Sequence, residues 1–492
     1  MMLAPFMAAV LLTVSGQVPC LSPEQESELI PGAFVGNGRL SAAFDIRGNL
    51  VECRWPASSH FSQISRTQPI EASSEPRTPC WGIRLNDQTS WLNDDSWQVE
   101  WDLEESPLVS TLWRGVGSLR ITQEAFVHPT LDVLVIHLSI AGASEPPAVL
   151  WYANFSPVAN GDSASAGLVP ALRKERGFAV FADPTERAVT HFRPRRPGQG
   201  DWDAAGDLLR IKAPAAAWAL MGEGTWIMYS PVQEMTAFDC GIEGTPASAW
   251  EAAAKGQLRN TPAAIGHTDS AIVIRPDENN GVFEAVVFAA FGASHEGAQN
   301  QIARARKAGY QSLKNETLEH WGNWQAGTSR GTTVEENSCL LALVQLMDQE
   351  TGGIILSPLE DSAYDYPEHS AIAAAALAGA GFPGLAESHL AFLFNALDMA
   401  SNSQPAGLLA GAYRTDGTAA LPSFIIKPET TAMFLWALRN YLDLLPPDDQ
   451  RSYLIDHGTT IQECALFLVN WMDARTHDPL PSFNPALCRD SV

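Results

Sequence analysis

Between about Gly32 and Ser294 apolar residues recur with a period of two, and after Ser294 they recur at helical spacing. In the run LDVLVIHLSI, Leu134, Ile136, Leu138 and Ile140 share one face of an extended segment, and Val133 and Val135 lie on the other. That pattern predicts a strand buried on both sides. Runs such as WGIRLND, GSLRITQEAFVHP, GTWIMYS and VFEAVVFAAF repeat it between turn signals, so a large sandwich is expected. The stretch Pro194–Ala204, PRRPGQGDWDA, is rich in turn formers and predicts a long surface loop. Beyond it, EGAQNQIARARKAGYQSL and KNETLEHWGNWQ predict two helices, after which helical runs alternate with Gly/Pro loops. The run from Ser370 to Ala380 closes with Gly381 and Pro383, a stop signal. In the helix expected over 429–445, Phe434, Leu438, Tyr441, Leu442 and Leu445 form a core stripe.

The fold class expected is multidomain, β then α: an N-terminal β-supersandwich followed by a partial (α/α)6 six-hairpin barrel. The domains expected are a signal peptide over 1–20, the supersandwich over 21–294, a helical linker over 295–332 and the partial barrel over 333–492. The leader reading rests on the apolar stretch Leu3–Val14, followed by small and polar residues. That stretch is too short to span a bilayer, and no other stretch is long enough for a membrane helix. Gln17 stands where a lipoprotein signal before Cys20 would carry Leu, so an ordinary exported segment is read and a secreted or periplasmic location is expected.

Composition narrows the partners. Lys and Arg number 31 against 56 Asp and Glu in 492 residues, a net charge of −25, which repels polyanions and argues against nucleic acid. Fifteen tryptophans suit a carbohydrate partner, because a flat ring covers the apolar face of a pyranose, although most such rings serve the core. The seven cysteines include no C-x-x-C pair of the metal-binding kind, and a Cys53–Cys80 disulfide is compatible with an exported domain.

The most telling segment is Thr351–Tyr366, TGGIILSPLEDSAYDY, an irregular aromatic and acidic loop between helical runs. Trp321, Trp324 and NSCLLALVQLMDQE precede it, and YRTDGTA (Tyr413–Ala419) and KPETTAMFLWALRNY (Lys427–Tyr441) follow. This ordered set resembles the catalytic barrel of glycoside hydrolase family 15, the glucoamylase, glucodextranase and trehalase group. IPGAFVGNGRLSAAFDIRGNLVECRWP (Ile30–Pro56) is similar to the opening strands of its bacterial members, with Gly36 and Gly38 read as turn glycines. The resemblance implies hydrolysis of α-glucosidic bonds by inversion, with no metal or organic cofactor. Inversion needs one carboxylic acid and one carboxylate roughly 6.5 to 9.5 Å apart, which leaves room for the attacking water.

Several family positions are changed. The loop matching the family's acid loop, Asp478–Asp490, holds Asn484, Pro485, Ala486 and Leu487 and no Glu, so neither family glutamate carries over. Where the family has Y-x-Y-x-W-x-R-D, this chain has Tyr364, Asp365, Tyr366, Pro367, Glu368 and His369: the aromatics match and the Arg-Asp sugar clamp does not. Tyr364, Asp365, Tyr366, Glu368 and His369 are the candidate substrate-binding residues. Glu368 at a helix start also complements the helix dipole without any ligand. Glu429 is the candidate catalytic carboxylate, since the resemblance places the equivalent D-E-T stretch beside the sugar pocket. Its plain alternative is a first-turn residue behind Pro428 that stabilises the helix N-terminus. Asp416 in TDG reads as a turn residue, and Asp473, Arg489 and Asp490 are weaker candidates.

From Asn337 onward about six helical runs are expected, half of the roughly twelve that six hairpins need, which favours a piece of a longer protein over a barrel closed by another chain. The expected partner is an α-glucan or oligosaccharide. The alternatives are a noncatalytic carbohydrate-binding relative, a glycoside phosphorylase of similar architecture, and a purely structural protein.

Overall fold

The computed structural model describes residues 31–64, 78–94, 96–102, 107–115, 118–157, 178–194, 222–327, 333–358, 363–400, 405–420 and 427–476. The expected leader over 1–20, most of the loop expected over Pro194–Ala204 and the acid-loop match over 478–490 lie outside these residues. The chain divides into two compact units, one taking in the chain to Pro56 and Phe61–His320, the other Ala57–His60 and the chain from Trp321. The division between the units after His320 falls within the stretch expected as a helical linker, 295–332.

In the first unit every strand pairing among the described residues is antiparallel. Pro31–Gly36, Ser41–Asp45 and Leu50–Arg54 form a small three-stranded sheet. A five-stranded sheet runs in the order Glu234–Ile242, Thr268–Arg275, Ala148–Ala153, Cys80–Leu85, Gln88–Trp91. A ten-stranded sheet is centred on the neighbours Val282–Gly292 and Val133–Ala141. Strand Val133–Ala141 faces two cores, as its sequence predicts. Leu134, Ile136, Leu138 and Ile140 join Trp81, Trp151 and Ile272 in the main core. Val133 and Val135 join Ala298, Ile302 and Ala305 in an outer core. The helices here are α1 (Ala249–Ala254), α2 (His295–Ala308) and α3 (Tyr310–Ala326). Ser248 and Ser294 cap α1 and α2 by accepting from backbone N–H groups.

The Gly-Asn-Gly turn is more than a pair of flexible glycines. Gly38 takes φ +81°, while Gly36 ends a strand. Between them buried Asn37 donates to the carbonyls of His128 and Leu131 at 2.9 and 3.2 Å and accepts from the N–H groups of Arg39 and Leu40. Cys53 and Cys80 are both buried free thiols, so the disulfide considered from sequence is not formed.

The second unit contains α4 (Val334–Leu346), α5 (Pro367–Gly379), α6 (Pro383–Ala400), α7 (Pro428–Leu442) and α8 (Pro447–Thr476). With the end of α3, these are the helices among its described residues; α4 to α8 are five, where about six runs are expected from Asn337 onward. Gly381 at φ +99° and Pro383 separate α5 from α6, as the stop signal predicts. Phe434, Leu438, Tyr441 and Leu442 of α7 are buried in a core with Phe392, Phe394 and Tyr413, while Leu445 lies past the helix end. No helix among the described residues is long and apolar enough to cross a membrane.

Two measurements test this packing. Leu138→Ala, at a fully buried site, should cost about 2–5 kcal/mol in a denaturant titration of the first unit, against less than about 0.5 kcal/mol for exposed Ile46→Ala. The second concerns His191, which bonds to the Phe155 carbonyl at 3.1 Å and to Ser270 Oγ at 2.7 Å. Burial pushes its imidazole from 6.5 down to about 3. The unfolded chain therefore binds the proton first, so this stability is full above about 6.5 and is lost as pH falls toward about 3. Melting temperatures between pH 7 and 4 should fall more steeply in the parent than in His191→Gln.

Candidate functional site

The site is built on three irregular segments of the helical unit: the loop from Asp348 to Tyr366, the turn-rich segment 405–420, and the entry to α7. In the first loop Asp348 Oδ1 accepts from Glu350 N, Thr351 N and Thr351 Oγ1 at 3.0, 2.9 and 3.0 Å, curling the chain into its Gly-Gly turn. Gly352 takes φ +82°, and a Cβ there would lie 2.4 Å from the Ser388 carbonyl oxygen, so both backbone angle and space require glycine. His389 Nδ1 donates to the Gly352 carbonyl at 3.0 Å.

Asp365 closes the loop. Its backbone pairs in both directions with Tyr413, at 2.8 and 2.7 Å. Its carboxylate points inward and is fully buried, accepting from Ile354 N at 2.8 Å and Ser370 Oγ at 2.6 Å, with His389 Nδ1 3.7 Å away. Burial pushes this carboxyl up, while nearby His389 and the two hydrogen bonds pull it back. Asp365 is thus an internal strut, away from the solvent a sugar would arrive through.

Its sequence neighbours are partly exposed where it is buried. The rings of Tyr364 and Tyr366 lie 6.4 Å apart at 79°, and Tyr366 and His369 lie 6.4 Å apart at 63°. Both tyrosines are half-buried, and the side chain of His369 is 43% exposed. Glu368 Oε1 lies 3.4 Å from His369 Nε2 and 3.6 Å from Lys427 Nζ. Since Glu368 is in the first turn of α5 and Lys427 is the N-cap of α7, this contact sets the two helix starts side by side. Thr430 and Thr431 fasten the α7 start from below, through Leu409 and the Gly407 carbonyl.

Of the residues singled out from sequence, Tyr364, Tyr366, Glu368 and His369 are therefore brought together. Asp365 is tied beneath them. Glu429 stands exposed in the first turn of α7, two residues beyond Lys427. Asp416 closes a turn by accepting from Thr418 N and Oγ1 at 2.9 and 2.6 Å, next to Gly417 at φ +84°. Asn484–Leu487, Arg489 and Asp490 lie outside the described residues, as does the side chain of Asp473. Sequence reasoning gave no role to Lys427, Ser370, His389 or Tyr413. Lys427 carries a local signal, a cation just before a helix-starting Pro-Glu; the other three carry none.

A small cavity lies elsewhere in the unit, lined by Leu397, Asp398, Pro405–Leu408, Thr460 and Glu463. It contains none of the residues singled out from sequence. No group of His, Cys, Asp and Glu among the described residues is placed to hold a metal ion.

No protein-family model matches the chain, and no curated protein matches it. Its fold is similar to that of a bacterial glucoamylase complexed with acarbose, at TM-score 0.59 and 11% identity, over 90% of this chain and 67% of that one. A family GH92 inverting mannosidase from Bacteroides thetaiotaomicron matches at TM-score 0.44 and 12% identity, over 83% of this chain and 51% of that one. The chain thus spans about two thirds of the length of the first and about half of the second. At this identity the glucoamylase likeness shows the fold alone: a β-sandwich followed by helical hairpins.

The loop geometry orders two substitutions. Gly352→Ala should cost about 1–3 kcal/mol or more in denaturant unfolding of the helical unit, because a left-handed backbone angle is combined with a backbone clash. Glu368→Gln should change the same quantity by less than about 1 kcal/mol, since its ion pairs are partly solvated.

Proposed function

We propose that this chain is the sugar-handling part of an inverting hydrolase of α-glucosidic bonds, binding an α-glucan or oligosaccharide along Tyr364 and Tyr366. The observation that carries this is the contiguous set Tyr364, Tyr366, His369, Glu368 and Lys427 on two adjoining helix starts. Tyrosine rings present apolar faces to pyranose C–H groups and hydroxyls to sugar oxygens. Glu368 accepts and Lys427 donates, which supplies the paired polarity that the missing Arg-Asp clamp would have given. The fold shared with a glucoamylase complexed with acarbose supports the same class of ligand.

Glu429, exposed in the first turn of α7, is the candidate catalytic carboxylate in this proposal. An inverting displacement needs a second carboxyl group across the bond. The loop that resembles the family's acid loop has Asn484, Pro485, Ala486 and Leu487 instead. The chain by itself therefore binds sugar without appreciable turnover, and the complete enzyme draws its acid from elsewhere. Export to the periplasm or medium is part of the same proposal, resting on the apolar stretch Leu3–Val14, and N-terminal sequencing of the mature protein tests it.

Calorimetric titration with maltooligosaccharides, isomaltooligosaccharides, trehalose and acarbose, with glucose release measured in parallel, tests the whole. Saturable binding of at least one of them is expected, weakened up to about tenfold by Tyr366→Ala, with no glucose released. Failure of every ligand to bind rejects the sugar site. Turnover that disappears in Glu429→Gln would overturn the inactive state and make Glu429 a catalytic residue.

A further inference from the structure

We infer that Asp365 is a positioning residue for sugar binding: held from beneath by Ile354 and Ser370, it fixes the direction in which Tyr364 and Tyr366 present their rings. The inference rests on the sugar-binding proposal above and adds a residue that touches no sugar.

Geometry carries it. Asp365 bridges Tyr413 and Tyr366 is extended, while the rings of Tyr364 and Tyr366 lie together, 6.4 Å apart and half-buried, so the inward side chain at 365 stands opposite the side that the two rings share. What keeps 365 inward is a pair of hydrogen bonds to different elements. Oδ2 takes the N–H of Ile354, at the far end of the same loop, and Oδ1 takes the hydroxyl of Ser370, on α5. A single bond would leave the strip free to swivel about it; two bonds on opposite oxygens fix its rotation. His389, fully buried on α6, backs the arrangement by holding the Gly352 carbonyl while lying 3.7 Å from Asp365. Tyr413 is buried too, and its hydroxyl accepts from Ala410 N at 2.7 Å, so the strand against which the strip is registered is itself anchored. The chain thus commits a fully desolvated carboxylate to a segment whose outward products are two half-exposed aromatic rings.

Asparagine is the informative replacement. Its Oδ1 can accept from Ile354 N while its amide donates to Ser370 Oγ, because a serine hydroxyl can reverse its role. Asp365→Asn therefore keeps both anchors, Asp365→Ala loses both, and Ser370→Ala loses one. The purified full chain is labelled with 3-fluorotyrosine and titrated with acarbose, below the melting temperature of each variant and with circular dichroism as the fold control.

Three results are expected. Asp365→Ala weakens acarbose binding about tenfold, the cost of one misplaced ring contact, and shifts the fluorine resonances of Tyr364 and Tyr366. Ser370→Ala gives a smaller change in the same direction and serves as the test if Asp365→Ala does not fold. Asp365→Asn stays within about twofold of the parent, a difference of about 0.4 kcal/mol. Parent-like binding and unshifted resonances in Asp365→Ala, or in Ser370→Ala where the first is unfolded, would overturn the inference, as would a loss in Asp365→Asn as large as in Asp365→Ala. A parent that binds no acarbose, but whose fluorine resonances shift in Asp365→Ala, would instead sink the sugar-binding proposal and leave the positioning geometry standing.

Discussion

A carboxylate shut completely away from water costs several kcal/mol unless its oxygens are met, and in the helical unit that condition organises the candidate site. Asp365 meets it by recruiting the Ile354 backbone and the Ser370 hydroxyl, with His389 as the nearby polar ring. Each partner comes from a different stretch: the far end of the loop, α5 and α6. Their convergence ties Ile354 and the start of α5 to Asp365, while Glu368 and Lys427 set the starts of α5 and α7 side by side. The same economy governs the backbone, where the irregular segments find partners in Tyr413, Leu409 and Gly407.

The β unit solves a different problem, that of covering both faces of a wide sheet. Strand Val133–Ala141 is apolar on both faces because one faces the opposing sheet and the other lies under α2. The exception along it is His137, which shares the outer face with Val133 and Val135 and sits 3.7 Å from Glu124 and 3.8 Å from Glu284, against the ring of Tyr310. Glu124 is held down to about 2 by His137, Lys314 and Tyr310, so this outer face combines apolar packing with an ionic patch. Neither feature needs a ligand to explain it.

Charge acts at two scales. The net −25 of the chain sets a long-range field hostile to polyanions and indifferent to neutral sugars. Around Tyr364 and Tyr366 the balance is local, with Lys427 offsetting Glu368 at 3.6 Å and Glu429 exposed in the first turn of α7. Neutral hydroxyls suit such a mixed surface, because donors and acceptors lie close together and neither sign dominates.

The element types were legible in the sequence because each periodicity reports which side of a segment is buried, and that information is local. The two faces of strand Val133–Ala141, the helix starts at Pro367 and Pro428, the stop at Gly381 and Pro383, and the core stripe of α7 all follow from neighbouring residues. A two-residue hairpin turn at Asn280-Gly281, with φ values of 52° and 79°, carried an equally local signal. The change of period near Ser294 set the order of the domains. Tertiary structure alone decided that Asp365 turns in while Tyr364 and Tyr366 turn out, that Tyr413 is the bridging strand, and that Glu368 meets Lys427. Those outcomes depend on partners brought from distant parts of the chain by packing, and an aspartate between two tyrosines carries no local mark of which side the core will take.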